Sequence, residues 1–494
     1  MISLRASGIL MPLFSLPSNY GIGSLGEEAY AFVDFLKKAG QKYWQLLPLV
    51  PTNFGDSPYQ SFSSYAGNPY FIDLDILCKN GLLEREDYIN VDFGSDPTHV
   101  DYEKLYNNRY KVLKIAFSRF KGGRAFEEFC KAHEKWLCGY ALFMALKDEA
   151  GGKSWREWAS PLKFRESEAL LAAEKRLSEE ISFYKFLQFE FFSQWEALKA
   201  YANKSGIKII GDMPIYVADD SAEVWSEPEQ FYLEPDLTPK AVAGCPPDAF
   251  SEDGQLWGSP VYDWDFMKSG DKPYEWWIRR VSHALKVYDV VRIDHFRGFE
   301  AFYCIPYGDK DARRGKWKKG PAMELFRAIE AALGENLPII AEDLGLLTPE
   351  VYKLLEDSGF PGMRVLQFAF DGRVENEYLP HNHIKNSVVY IGTHDNDTVM
   401  GWAENTDKES FAQAEKYLNC KAGDGFNWAM IRAGMASVAD TAIFMMADFM
   451  GLPSSARINE PSTMGSNWQW RMLGGCANDW LAGIIKDITK TYGR

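Results

Sequence analysis

Acidic side chains stand at the ends of several apolar runs, where they could take part in nucleophilic or acid–base chemistry. The run 289–295 carries Arg292 and Asp294, and strand alternation puts both side chains on one face. Because a nearby cation favours the charged form of a carboxyl group, Arg292 is expected to hold Asp294 ionised as a nucleophile. A structural ion pair at a strand end is the alternative interpretation.

A second acid, Glu342, follows the apolar part of the run 337–343. Burial raises the pKa of a partly desolvated glutamate, which can then act as a general acid. The alternative is a helix-capping acid, a role that the neighbouring Asp343 fits better than Glu342 does.

Two more runs end in polar residues. Asp212 lies near the end of the run 207–217, where a turn carboxylate is the alternative. The run 387–394 ends in a cluster of His394, Asp395 and Asp397, for which a sugar site, a metal site and a plain turn are all possible. A sugar site is favoured, because one histidine without a second ligand cluster is weak evidence for a metal. Glycosidic chemistry requires paired carboxylates, one as nucleophile and one as acid/base.

The elements that position these acids are eight short apolar runs separated, in several cases, by helix-like stretches. A strand–helix alternation with eight strands predicts an α/β fold, namely a single (β/α)8 barrel over residues 1–494, with the acids at one end of it. A doubly wound sheet is the alternative, but no GxGxxG motif follows the first run. The runs are 8–16, 43–49, 207–217, 289–295, 337–343, 363–370, 387–394 and 442–449.

The spacing of the runs places large insertions early in the chain. A mostly helical subdomain is expected at 50–207, after the second strand, and a loop or subdomain at 218–288, after the third. Aromatic residues make up 15% of the chain, and in these insertions they alternate with amides, acids and hydroxyls at 54–62 and 250–264. Such side chains stack on sugar rings, although burial between loop and barrel is an equally reasonable interpretation.

Composition excludes several classes of partner. The net charge of −15 and the lack of a sustained basic patch argue against nucleic acid. The chain has no run of 18 apolar residues, so no membrane span is expected. Its seven cysteines include no CxxC pair. The first apolar run is interrupted by Pro12 and Pro17, unlike the apolar core of a signal peptide. We therefore expect no zinc site, no disulfide framework, no signal peptide and a cytoplasmic location.

Six long segments resemble the motifs of the 4-α-glucanotransferases, the amylomaltases or disproportionating enzymes of glycoside hydrolase family 77. The resemblance extends from near residue 8 to near residue 475. It implies a (β/α)8 barrel with insertions around the catalytic face and without the C-terminal β-sandwich domain of the related α-amylases. The segments are 55–70, 211–217, 246–264, 291–298, 341–345 and 392–398.

The resemblance also implies roles for individual residues. Asp294 corresponds to the nucleophile, Glu342 to the general acid/base and Asp395 to a third carboxylate that binds and distorts the donor sugar. The implied substrate-binding residues are Arg292 and His394 near the nucleophile, Asp212 and Tyr59 at the donor site, and Trp257 and Phe250 on the acceptor side.

The implied activity is retaining transfer of α-1,4-glucan segments from a maltooligosaccharide or glucan to the 4-hydroxyl of an acceptor, with no metal or organic cofactor. An α-glucan hydrolase with the same acids and a non-catalytic glucan-binding barrel are the alternatives. The oligomeric state, monomer or homodimer, stays open. Family members often carry two aromatics where this chain has Ala249-Phe250, so weaker stacking on the acceptor glucan is expected.

Overall fold

The structure is a computed structural model that describes residues 5–53, 55–247, 252–345, 347–421, 423 and 425–494. The described residues form twelve strands: β1 (Ala6–Leu10), β2 (Tyr43–Gln45), β3 (Lys208–Met213), β4 (Ala241–Cys245), β5 (Gln255–Pro260), β6 (Val290–Ile293), β7 (Ala301–Pro306), β8 (Lys316–Lys319), β9 (Ile339–Ala341), β10 (Gly362–Val365), β11 (Ser387–Tyr390) and β12 (Thr441–Met445).

Eight of these strands form one parallel sheet in the order β10, β11, β12, β1, β2, β3, β6 and β9. The two end strands, β9 and β10, lie side by side, and the Ala341 N–H donates to the Pro361 carbonyl at 3.0 Å. The sheet is therefore a nearly closed barrel, and the predicted (β/α)8 fold is confirmed. Its strands are largely buried on both faces, as expected for a sheet surrounded by helices.

Each predicted run overlaps one barrel strand, but the strands are shorter than the runs, and β1, β10 and β12 begin one or two residues before their runs. The apolar tails of two runs leave the sheet and become helical. Residues Leu366–Phe368 form a 3-10 helix after β10, and Met446–Met450 form an α-helix after β12. Buried segments are apolar whether they are strands or helices. The apolar pattern alone therefore could not predict where these two strands end.

The helices surround the barrel and fill the insertions. They are α1 (Glu27–Lys38), α2 (Leu74–Lys79), α3 (Tyr102–Arg119), α4 (Arg124–Ala132), α5 (Glu134–Glu149), α6 (Ser160–Lys163), α7 (Ser167–Arg176), α8 (Ser178–Lys204), α9 (Ala222–Ser226), α10 (Trp264–Lys268), α11 (Glu275–Val287), α12 (Met323–Leu333), α13 (Pro349–Ser358), α14 (Val399–Asn405), α15 (Lys408–Leu418), α16 (Phe426–Ala436), α17 (Met446–Met450) and α18 (Asp479–Thr491).

Helix α1 illustrates how the sequence specifies a barrel helix. Its first turn carries two glutamates and its last turn two lysines, an order that complements the helix dipole. Ala29, Phe32, Val33 and Leu36 recur at helical spacing and are buried against the barrel. None of the helices in the described ranges combines the length and the apolarity needed for a membrane crossing.

A second, antiparallel sheet of four strands in the order β5, β4, β7 and β8 was not predicted. It joins two strands from residues 241–260 to two strands that follow β6. Its short strands lack a clear apolar alternation: all four residues of β8, Lys316–Lys319, are exposed. Residues after β12 form α17, a 3-10 helix and α18, without a strand of their own in the described part.

Two glutamines of α8 hold the loop that follows β2. The Gln188 side chain accepts from the Gly67 N–H at 2.7 Å and donates to the Gly67 carbonyl at 2.9 Å. Gln194 accepts from the Asp73 N–H at 2.7 Å. Both side chains are buried, so these hydrogen bonds are sheltered from water and fix the loop backbone that leads back from the barrel mouth.

The contribution of Glu190 to the unfolding free energy should fall as the pH rises from about 4.5 to about 7. Burial raises the pKa of Glu190 from 4.5 to about 7, so over this interval the folded chain binds a proton that the unfolded chain has lost. The slope for one such group is about 1.4 kcal/mol per pH unit. Denaturant titrations at pH 5, 6, 7 and 8 should show a shallower decline for Glu190→Gln, and equal slopes would contradict the assignment.

Candidate active site

Arg292 is the central charged group at the barrel mouth. It lies on β6 opposite Asp212 on β3, the two being register partners. Its Nη1 donates to both Asp212 carboxylate oxygens, at 2.8 and 2.7 Å, and lies 3.1 Å from Asp294 Oδ1. The side chains of Arg292 and Asp212 are almost fully buried, whereas Asp294 keeps 28% of its side-chain surface exposed. Asp294 is therefore the member of this group that can meet a substrate.

Glu342 comes directly after β9 and is held by two backbone donors. The His295 N–H donates to Glu342 Oε2 at 2.7 Å, and the Leu344 N–H donates to Oε1 at 2.8 Å. His295 has a φ of 50°, in the left-handed region that non-glycine residues rarely adopt. The N–H of the residue after Asp294 therefore binds the Glu342 carboxylate, and the paired strands β6 and β9 present the two carboxyl groups at the same end of the barrel.

Burial and nearby charges act against each other on both carboxyl groups. Enclosure raises the pKa of Glu342, while Arg292 and the two backbone N–H donors oppose that rise. Enclosure also raises the pKa of Asp294, and there the directly paired Arg292 guanidinium is the main opposing influence. The pKa of both carboxyl groups is therefore raised, and the direct ion pair with Arg292 is the contact that favours the carboxylate form of Asp294.

Asp343 does not cap a helix, which corrects the expectation from its position. Helix α13 begins only at Pro349, preceded by Thr348. Asp343 is buried instead and accepts the Met363 N–H at 2.6 Å. Strand alternation turns its side chain away from Glu342 and toward the neighbouring strand β10.

Asp395 lies in the loop after β11 and is held by a segment that the sequence did not single out. Asn459 donates from Nδ2 to Asp395 Oδ1 at 2.6 Å, and its N–H donates to the His394 carbonyl at 3.0 Å. Arg457 donates to the Asp395 carbonyl at 2.9 Å. These two residues follow α17 in irregular backbone, where no periodicity or spacing could have connected them to a residue some sixty positions earlier.

An aromatic wall stands beside these acids. The Tyr59 ring stacks on His394, with centroids 5.0 Å apart and planes inclined by 14°, and its hydroxyl donates to Asp212 at 2.8 Å. Trp468 packs against both rings at 5.7 and 5.9 Å. Burial lowers the pKa of His394, so this imidazole is a neutral hydrogen-bonding group. Trp468 is a further wall residue that the sequence did not indicate.

Trp257 lies on β5 of the second sheet and reaches the same region. Its ring packs edge-on against His295 with centroids 4.8 Å apart, and Gln60 donates to its carbonyl at 3.2 Å. Phe250, the other residue predicted for the acceptor side, falls at 248–251 and lies outside the described residues. Among the residues that the structure describes, no three His, Cys, Asp or Glu side chains are grouped as a metal site requires.

Removing the Asn459 amide should lower the reaction rate, because Asp395 is then held less firmly. We expect Asn459→Ala to lower kcat/KM for maltotriose, a substrate of the class that the family resemblance implies, about 10- to 100-fold, because a hydrogen bond to a charged group contributes about 1.5–3 kcal/mol. Asn467→Ala is the matched control, since Asn467 bonds only within the same segment, to Glu460 and Thr463. Equal losses in the two variants would show that only the shape of the segment matters.

The barrel, its carboxyl groups and its insertions place the chain among known enzymes. The sequence model of glycoside hydrolase family 77, described as 4-alpha-glucanotransferase, matches residues 11–476. The chain belongs to this family.

Individual relatives are similar over nearly the whole chain. A 4-alpha-glucanotransferase of Clostridium butyricum is 51% identical over 98% of this chain and 100% of its own length. One from Thermus thermophilus is 48% identical over 95% of both chains. The solved amylomaltase of Streptococcus agalactiae in complex with acarbose superposes with a TM-score of 0.96 at 45% identity, covering 99% of each chain.

Proposed function

We propose that this chain is a 4-α-glucanotransferase that moves α-1,4-glucan segments between maltooligosaccharides by a retaining, two-step reaction. The observation that carries the proposal is that Asp294 and Glu342 follow the paired strands β6 and β9, one carboxyl paired with Arg292 and the other held by two N–H donors. Two carboxyl groups so differently placed suit a nucleophile and an acid/base.

In the first step Glu342 gives its proton to the glycosidic oxygen while the Asp294 carboxylate attacks the anomeric carbon. The bond to the leaving glucan breaks, and a β-linked glycosyl ester forms on Asp294. In the second step the Glu342 carboxylate takes the proton of an acceptor 4-hydroxyl, whose oxygen attacks the anomeric carbon. The ester breaks, Asp294 is released as a carboxylate, and an α-1,4 bond is restored.

The other polar residues would hold the donor sugar in place. Asp395 reaches the site with 43% of its side-chain surface exposed, so it can accept hydrogen bonds from donor hydroxyls. Tyr59 and His394 would form the wall of the same subsite. Asp212 is buried behind Arg292 and would act mainly by fixing the position of that guanidinium.

Transfer rather than hydrolysis requires that a sugar hydroxyl, not water, reaches the intermediate. The insertions at 50–207 and 218–288 are the proposed source of the acceptor site, with Trp257 and Phe250 on that side. A location in the cytoplasm is also part of the proposal, because none of the seven cysteines, all of them among the described residues, forms a disulfide, as is usual in a reducing compartment. The substrates are neutral, so the charge of −15 has no role in attracting them.

Product analysis from maltotriose tests this function. A transferase gives glucose together with maltooligosaccharides longer than three units, which mass spectrometry resolves directly. A hydrolase with the same acids gives only glucose and maltose. A binding protein leaves maltotriose unchanged, and either of these two outcomes would overturn the proposal.

A further inference from the structure

Asp343 lies at the seam where the barrel sheet closes. The strands β9 and β10 are the two ends of the eight-stranded order, and the Ala341 N–H to Pro361 carbonyl bond joins them. Asp343 adds a second link, because its Oδ1 accepts the Met363 N–H at 2.6 Å. A side-chain carboxylate thus takes the place of a strand–strand hydrogen bond beside the proposed acid/base.

The Asp343 carboxylate is fully enclosed and paired. Its Oδ2 lies 3.2 Å from Arg364 Nη1, and the Arg364 side chain also contacts Glu377 at 3.0 Å. Gly362 makes room for it, since a Cβ at that position would lie 2.3 Å from Asp343 Oδ2. A buried charge requires such a partner, and removing either member of a buried pair is strongly destabilising.

Asp343 is linked to both members of the reactive pair, Glu342 and Asp294, through intervening residues. On one side it is the residue after Glu342, and the next residue, Leu344, donates its N–H to Glu342 Oε1 at 2.8 Å. On the other side Met363, whose N–H it accepts, has its sulfur 3.4 Å from Arg292 Nε. Asp343 therefore fixes the turn that carries Glu342. It also fixes Met363, which packs against Arg292, the ion-pair partner of Asp294.

We propose that Asp343 is a positioning residue for the glucan transfer: together with Arg364 it aims Glu342 at the glycosidic oxygen. The proposal rests on the function proposed above. Asp343 itself contacts no substrate, because its side chain is fully buried.

Electrostatics adds a readout that a purely structural role would not change. Burial raises the pKa of Glu342, Arg292 and the backbone donors oppose that rise, and Asp343 adds to it. Losing the Asp343 charge should therefore lower the pKa of Glu342, so that the acid loses its proton at lower pH. The other charged or titratable groups that act on or are affected by Glu342 are Asp294, Arg297 and Tyr378.

The test compares the pH profiles of Asp343→Asn and wild type in maltotriose disproportionation. Asparagine keeps an oxygen for the Met363 N–H but removes the charge. We expect kcat to fall about tenfold or more and the alkaline limb of the profile to move to lower pH. Loss should be smaller with α-maltosyl fluoride, whose leaving group needs no proton. The proposal would be overturned if the pH profile of Asp343→Asn had the same shape as that of wild type and kcat fell by the same factor on maltotriose and on α-maltosyl fluoride.

Two more variants separate the possible causes. Glu377→Gln removes a charge from the same cluster without touching the turn, and kcat should stay within about twofold of wild type. Arg364→Lys keeps the charge but loses the geometry, so kcat should fall severalfold while the alkaline limb stays in place. If Asp343→Asn is unfolded at the assay temperature, Arg364→Lys decides, and a wild-type kcat there would overturn the proposal. The proposed function is tested separately, by whether the wild-type enzyme converts maltotriose into longer oligomers.

Discussion

Asp294→Ala should abolish glucose release from maltotriose, with a residual rate below about a thousandth of wild type. The reason is that, among the residues the structure describes, no other carboxyl group stands at the end of β6 beside Arg292 with part of its surface open. Without the carboxylate the anomeric carbon has no nucleophile, and the two-step path is lost. Glucose release measured over a long incubation with high enzyme concentration sets the residual rate.

Asp289→Ala is the matched control for this variant, because Asp289 lies at the opposite end of the same strand. Its carboxylate accepts from Asn203 and from the Ile209 N–H, each at 2.8 Å. This change should lower the unfolding temperature and leave kcat close to wild type. An Asp294→Ala protein that folds normally and keeps more than about a thousandth of the activity would argue against the nucleophile role.

Glu342→Gln should lower kcat on maltotriose about 10²- to 10⁴-fold, the usual contribution of general acid–base catalysis. Glutamine has the same size and keeps one oxygen, which can accept from one of the two N–H groups, of His295 or of Leu344; its NH2 group cannot accept from the other. What it loses is the proton for the leaving oxygen. Initial rates of glucose release at several pH values measure the loss, and the alkaline limb of the wild-type profile should be absent.

An activated donor distinguishes the loss of acid catalysis from misfolding. With α-maltosyl fluoride the first step of Glu342→Gln should regain most of its rate, because fluoride leaves without a proton. Glu190→Gln serves as control, since Glu190 is another buried glutamate with a raised pKa but lies on α8. An equal deficit with both donors would mean that Glu342 does not act as the acid.

The barrel was readable from sequence because parallel strands are buried on both faces. Val291 and Ile340, for example, are fully buried inside continuous apolar runs, and a change of register would not alter that pattern. The second sheet was not readable for the opposite reason. Its strand Lys316–Lys319 is exposed throughout and paired by its backbone, which leaves no mark in the side-chain sequence.

The candidate site divides in the same way. Asp294 and Glu342 could be found because a charged residue after an apolar run at a barrel strand end is conspicuous. Asn459 could not, since its contact with Asp395 joins two irregular segments whose approach depends on the whole fold. Asp343 was misassigned because its partners, Met363 and Arg364, belong to a strand twenty residues away.

Trapping the covalent intermediate tests the central claim most directly. Glu342→Gln is incubated with α-maltosyl fluoride without a sugar acceptor, denatured in acid and digested, and the peptides are analysed by mass spectrometry. The account predicts a maltosyl mass increase on the peptide that contains Asp294, with fragmentation placing it on that residue. A maltosyl group found on Asp395 or on another residue, or an enzyme that turns over the fluoride without ever carrying the label, would contradict it.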